Sequence, residues 1–124
     1  MDARDVMLAI ASKASEQDLD GIQKLTQHDR VTESFRRLLT AFPDANVEVE
    51  WVIAEGNRAA GFARITGTHR GEWRGLAPTG RPIDVRGMLA VQVRPDGTVE
   101  DFWVANDWLS IATQIGVELK LPGR

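Results

Sequence analysis

The sequence predicts an α+β fold, a curved antiparallel sheet of about four strands with helices packed on one of its faces. Three observations carry that expectation. Apolar residues recur at helical spacing from the start of the chain to Phe42, and the pattern then changes to alternation over four segments divided by turn residues. One further helical stretch follows the last of these segments. Helices first and a meander of strands afterwards place the helices on one side of an antiparallel sheet.

Taken in order, residues 3–15 put Val6, Met7, Ile10, Ala11 and Ala14 on one helical face, with Arg4, Asp5 and Lys13 elsewhere. Asp18 opens a second short helix carrying Leu19, Ile22 and Leu25. His28-Asp29-Arg30 reads as a break, after which Asp29 or Thr32 caps a third helix. Its Phe35, Leu38, Leu39 and Phe42 fall at i, i+3, i+4 and i+7, and Pro43 ends it. Val47, Val49, Trp51 and Ile53 then alternate with Glu48 and Glu50, a half-buried strand whose glutamates form the solvated side. Glu55-Gly56-Asn57 turns into a second strand from Arg58 to His69, with Phe62 on one parity and Ile65 on the other. Residues 70–80 carry every loop signal. A third strand places Ile83, Val85, Leu89, Val91 and Val93 on one parity, and Pro95-Asp96-Gly97 turns into a fourth from Thr98 to Ala105. The last helix shows Trp108, Ile111, Ala112 and Ile115 at helical spacing with Gly116 as its stop, and Leu119 to Arg124 form a tail.

Composition narrows the function. The chain of 124 residues fits one domain, 1–124, and its 43% apolar and 27% charged residues are ordinary for a globular protein. A net charge of −3 with both signs interspersed argues against a nucleic-acid partner. The absence of cysteine removes disulfides, thiolate catalysis and zinc-thiolate sites. His28 and His69 fit no metal-ligand spacing, so no metal is expected. Neither a membrane span nor a signal peptide is legible, which makes the cytoplasm the expected location. Four tryptophans without a tyrosine favour flat apolar walls over phenolic acid–base groups.

The segment Gly67 to Arg81 resembles the G-T-H-x-G-x-x-x-G-x-x-P-T-G-R signature of the SnoaL-like polyketide cyclase family, within the nuclear transport factor 2 superfamily. Ala41-Phe-Pro-Asp44, Ile53-Ala-Glu-Gly56, Val85-Arg-Gly87, Trp103 to Asp107 and Gln114-Ile-Gly116 are similar to flanking family features, so the resemblance spans about residues 33–116. It implies a cone, with the N-terminal helices on the concave face of the sheet. It also implies an intramolecular aldol-type ring closure of a polyketide ester without metal or cofactor, with the acid–base aspartate falling on Asp107. Only Gln27 to Val31 stands where the family carries a longer insert, and Phe102 replaces a common histidine.

Each candidate residue has a functional and a structural reading. Asp107 either transfers protons at a carbon between two carbonyls or only caps the last helix. Burial beside Trp103 raises its pKa, whereas the helix N-terminus favours its charged form. His69 polarises a carbonyl or shuttles a proton, or is a loop histidine bonded to backbone. Arg86 and Asp84 orient an ester or acid group, or form a solvated stripe. Trp51, Trp103, Met88 and Phe35 are candidate pocket walls, and Trp73 is a lid or a dimer contact. The expected function is a cofactor-independent cyclase or isomerase acting on an apolar carbonyl-rich small molecule, in a homodimer packed through the sheet. The alternatives are a non-catalytic binding or dimerisation module, or a related hydrolase or dehydratase.

Overall fold

The computed structural model describes residues 1–118, 120 and 122, so most of the expected tail, including Leu119, Leu121, Gly123 and Arg124, lies outside the described residues. The element order is α1 (Ala3–Ser15), α2 (Leu19–Thr26), α3 (Asp29–Ala41), β1 (Asn46–Glu55), β2 (Arg58–Thr68), β3 (Pro82–Val93), β4 (Val99–Asn106) and α4 (Trp108–Gln114). The four strands form one antiparallel sheet in the order β1-β2-β3-β4, curved and open at both edges. No helix among the described residues is long and apolar enough to cross a membrane.

Local chemistry sets the helix ends. Asp2 accepts from the Asp5 N–H to start α1, and Asp18 accepts from the Gly21 N–H to start α2. α3 corrects the expected cap, because its N-cap is His28 rather than Asp29 or Thr32. Gln27 takes the left-handed conformation (φ 48°) to end α2, which leaves His28 extended with Nδ1 accepting from the Val31 N–H.

α1 lies over β1, β2 and β3, where Val6, Met7, Ile10 and Ala14 are fully buried among Ala59, Val91, Val93, Val99 and Phe102. A second cluster lies towards the other end, where Leu39, Phe42 and Ala45 meet Ile65, Ile83, Val85, Ile111 and Ile115. In β3 the inward parity is the expected one, with Ile83, Val85, Val91 and Val93 buried.

β1 departs from the alternation read in the sequence. The pairing slips by one residue between Val49 and Trp51, a bulge at Glu50. Val47 and Val49 therefore face the helices, but Trp51 and Ile53 face the other way and are 46% and 66% exposed. One inserted residue moves every later side chain to the opposite face.

The long β2–β3 connection is fastened at its start. The Arg70 and Gly71 N–H groups both donate to the Ala41 carbonyl at the end of α3, at 3.0 and 3.1 Å. Gly71 passes so close to the Thr40 carbonyl that a Cβ there would overlap its oxygen. The Gly71→Ala variant is thus expected to lose about 2–4 kcal/mol in urea unfolding, as over-packing against backbone does. An unchanged midpoint would show that the loop base yields.

Candidate functional site

Between the concave face and the helices lies an apolar cavity of about 50 Å³, open on one side. Met7 and Ala11 of α1 and Phe35 and Leu38 of α3 form its roof. Val47 and Val49 of β1, Gly61, Ala63 and Ile65 of β2, Gly87 and Leu89 of β3 and Val104 of β4 form its floor. Met88 contributes to the same wall, although the register turns its side chain to the outer face, where it is 42% exposed.

Two polar side chains enter this lining, Ser34 of α3 and Asn106 at the end of β4. Asn106 pairs with Gly87 across the sheet, and its carboxamide lies over the glycine. A Cβ at residue 87 would run into the Asn106 amide oxygen. The missing side chain at Gly87 therefore makes the room that Asn106 uses. A carboxamide both donates and accepts, so it is suited to hold a carbonyl or enolate oxygen against an apolar wall. It does not act as a general base near neutral pH. The described lining residues contain no carboxylate and no imidazole.

Asp107 is next in sequence but differs in role. It is the N-cap of α4, accepting from the Ser110 N–H at 3.1 Å and from the Ser110 hydroxyl at 2.6 Å. It is exposed and outside the cavity lining. The Ser110 hydroxyl first and the Ser110 N–H second hold its carboxyl below the usual carboxylate range. The strand parity accounts for this placement. Val104 and Asn106 point inward, while Trp103 and Ala105 point outward and Asp107 follows them at the rim.

His69 is fully buried, away from the cavity lining. Its Nδ1 lies 3.0 Å from the Thr79 hydroxyl and accepts from the Thr79 N–H at 3.2 Å, while Nε2 is buried without a hydrogen-bond partner. Its ring rests against Phe42, and its backbone pairs with Arg81 and Gly80. The imidazole thus ties the two ends of the 69–81 loop together.

The other candidates divide between the two faces. Phe35 lines the cavity. Trp51 stacks on Phe62 on the outer face, with ring centroids 5.3 Å apart, and Trp103 is 51% exposed on that face. Asp84 and Arg86 belong to an outer-face ion network. Arg64 grips Asp84 with two nitrogens at 2.9 and 2.6 Å, and Arg86 reaches Glu50 at 2.6 Å. The Arg64 guanidinium beside Asp84 holds that carboxyl below its ordinary range. Trp73 packs on the second core cluster with the Arg74 guanidinium over its ring, neither over the cavity nor free in solvent. Among the described residues no group of acidic, histidine or cysteine side chains could hold a metal.

Sequence reasoning missed Asn106 and Ser34. The signal for Asn106 was available, since it shares its parity with Phe102 and Val104 rather than with Trp103.

A small α+β cone with an apolar, one-sided cavity under its helices defines the class of protein. The chain belongs to the SnoaL-like polyketide cyclase family, whose sequence model matches residues 3–115. No curated protein matches the sequence. The structure is similar to that of AclR, a candidate hydroxylase from Streptomyces galilaeus, with 24% identity, TM-score 0.83 and coverage of 98% of this chain and 85% of that one. It is also similar to IdmH, a candidate polyketide cyclase from Streptomyces antibioticus, with 21% identity, TM-score 0.77 and coverage of 94% and 100%. A candidate SnoaL-like cyclase from a Jannaschia species gives 21%, 0.80, 94% and 93% in the same terms. At such identities these likenesses concern the fold.

The cap geometry makes a pH-dependent prediction. A carboxyl held below its usual range stabilises the fold above that range, and the stabilisation is lost as pH falls through its depressed value. Asn caps as well as Asp but does not titrate. Thermal melts of Asp107→Asn should match wild type near neutral pH and gain on it towards about pH 3. Asp107→Ala should melt lower at neutral pH. Equal melts of wild type and Asp107→Ala at neutral pH would mean that the cap bonds contribute nothing.

Proposed function

We propose that the cone holds an apolar small molecule bearing a carbonyl group, with Asn106 hydrogen-bonded to the carbonyl oxygen and Ser34 as a second polar contact. The observation that carries this reading is the Asn106 carboxamide over Gly87 in a cavity whose other described lining residues, Ser34 apart, are apolar. A hydrogen bond at that point favours a ligand with an oxygen there. If such a ligand is converted, cofactor-independent cyclisation or isomerisation of a polyketide-like carbonyl compound is the chemistry that family membership favours. Asn106 would then stabilise the enolate oxygen as charge develops on it.

A second reading keeps Asp107 as the acid–base group. Its ionised carboxylate directly follows Asn106 at the rim, and breaking the two Ser110 bonds would free it. A panel of polyketide esters measured for binding and turnover separates the two. Under the favoured reading Asn106→Leu weakens binding about tenfold, equivalent to ~1.4 kcal/mol, and Asp107→Asn leaves binding and turnover unchanged. Turnover abolished by Asp107→Asn with binding intact would establish the second reading instead. Binding indifferent to Asn106→Leu would overturn the first.

We also propose that two copies pair through the outer face of the sheet. Trp51, Phe62, Met88 and Ala105 lie in one cross-strand row, and Ile53, Ala60, Ala90 and Trp103 lie in the next. Charged residues border this band on both sides, Glu50, Arg64 and Arg86 at one and Glu55, Arg58 and Asp101 at the other. An apolar band framed by charge suits burial against its own copy. Sedimentation should show a dimer that Ile53→Lys converts to a folded monomer. A wild-type monomer at micromolar concentration would reject the pairing.

A further inference from the structure

The cavity is too small for an entire ligand. Its volume of about 50 Å³ takes roughly three or four waters, whereas sites for drug-sized molecules run from about 300 Å³ upwards. A ligand seated there must extend through the open side, and the structure shows what it meets. Ser34 and Val104 belong both to the cavity wall and to a second, wider depression of about 400 Å³. This vestibule runs between α3 and the free edge of β4, and charged and apolar side chains share its lining.

The charged groups of the vestibule are Arg30, Glu33 and Arg37. Glu33 already serves two cations, Arg36 at 3.3 Å and Arg37 at 3.7 Å. Arg30 has no carboxylate within ion-pair distance among the described residues. It is held by stacking instead, with its guanidinium carbon 5.3 Å from the centre of the buried Phe102 ring. His28 meets the same ring edge-on at 5.2 Å, which steadies the platform. A guanidinium kept in place by an aromatic face retains its N–H groups for an incoming acceptor. With Glu33 shared between two arginines, the vestibule is a local positive site on a chain of net charge −3.

We infer that the ligand of the cone is an amphiphilic acid, whose apolar carbonyl-bearing part enters the cavity while an oxyanion, such as a carboxylate, is taken by Arg30 with Arg37 in the vestibule. This deepens the binding reading above and rests on it. Arg30 and Arg37 act here as specificity-determining residues, selecting a free acid over the corresponding neutral ester.

A matched pair of fluorescent probes tests the inference, anilinonaphthalene sulfonate and its uncharged parent phenylnaphthylamine. In wild type the sulfonate should bind about tenfold more tightly than the parent, and raised salt should remove most of that advantage. The double variant Arg30→Gln with Arg37→Gln should lose the advantage and still bind the parent as before. Arg30→Lys with Arg37→Lys should recover part of it, which separates charge from a folding defect. Ser34→Trp, which fills the shared wall, should displace both probes. Equal wild-type affinity for the two probes, or an advantage that survives the double glutamine variant, overturns the assignment to the arginines. If both probes also respond to Ser34→Trp in that case, the cavity reading stands without the acid. If neither responds to Ser34→Trp, the cavity reading fails along with the inference.

Discussion

One layer of short helices must cover the concave face of a four-stranded sheet, and the rest of the structure follows from how far that cover reaches. α1 meets it fully. Met7 settles on Gly61, where a Cβ would come within 3.1 Å of the Met7 sulfur, and Val6, Ile10 and Ala14 seal the rest of that half. α4 and the end of α3 close the opposite end around Phe42, Ile83 and Ile111. Between them Phe35 and Leu38 stand off from the small residues of the floor, Gly61, Ala63 and Gly87. Small residues below and partly buried ones above leave space instead of contact, and a void lined by hydrocarbon forfeits the dispersion energy that packing supplies. A cavity at this position is therefore a cost to stability that ligand binding can offset.

The outer face answers to a different constraint. Two sheet edges and one face carry no helix cover, and the ion network of Arg64, Asp84, Arg86 and Glu50 supplies charge at one end of that face. These pairs are substantially exposed, so they add little to stability and are better understood as fixing which part of the face stays solvated. At the same end, the Gln114 carboxamide pairs with both the N–H and the carbonyl of Asp84. β4 runs out before that point, and the side chain of α4 satisfies backbone groups that a longer strand would have taken.

Most of this architecture was legible in the sequence, and the face assignments that were not share a cause. Helical spacing in α1 and the inward parity of β3 depend on many residues, so both survive in the structure. Face assignments in β1 and β4 depend on one. Trp51 was counted with Val47 and Val49, and the bulge at Glu50 moved it to the outer face. No local composition announces a bulge there, because Glu48-Val-Glu-Trp51 alternates without a break. Asp107 drew attention as a carboxylate at a change of period, but β4 turns the neighbouring asparagine inward. For His69 the backbone-bonded loop reading matches its Thr79 N–H bond, and its burial under Phe42 is what sequence alone does not show.

Under the proposed reading, with Asn106 rather than Asp107 as the central residue, the cone is suited to a different task. A carboxylate inside an apolar cavity pays a desolvation cost that raises its pKa, and that shift is what makes it a useful base near neutral pH. Asp107 receives the opposite treatment. Water and two Ser110 donors surround it, so it is stable as an anion and correspondingly weak as a proton acceptor. Asn106 pays no charge-burial cost and needs no tuning, but it offers only orientation and hydrogen bonding. Under the proposed reading such a site would supply binding energy and polarisation of a carbonyl and would leave proton transfer to the ligand's own acidity or to solvent at the open mouth. Asp107 thus caps α4, and the chemistry proposed for the cone would rest on Asn106 at its cavity.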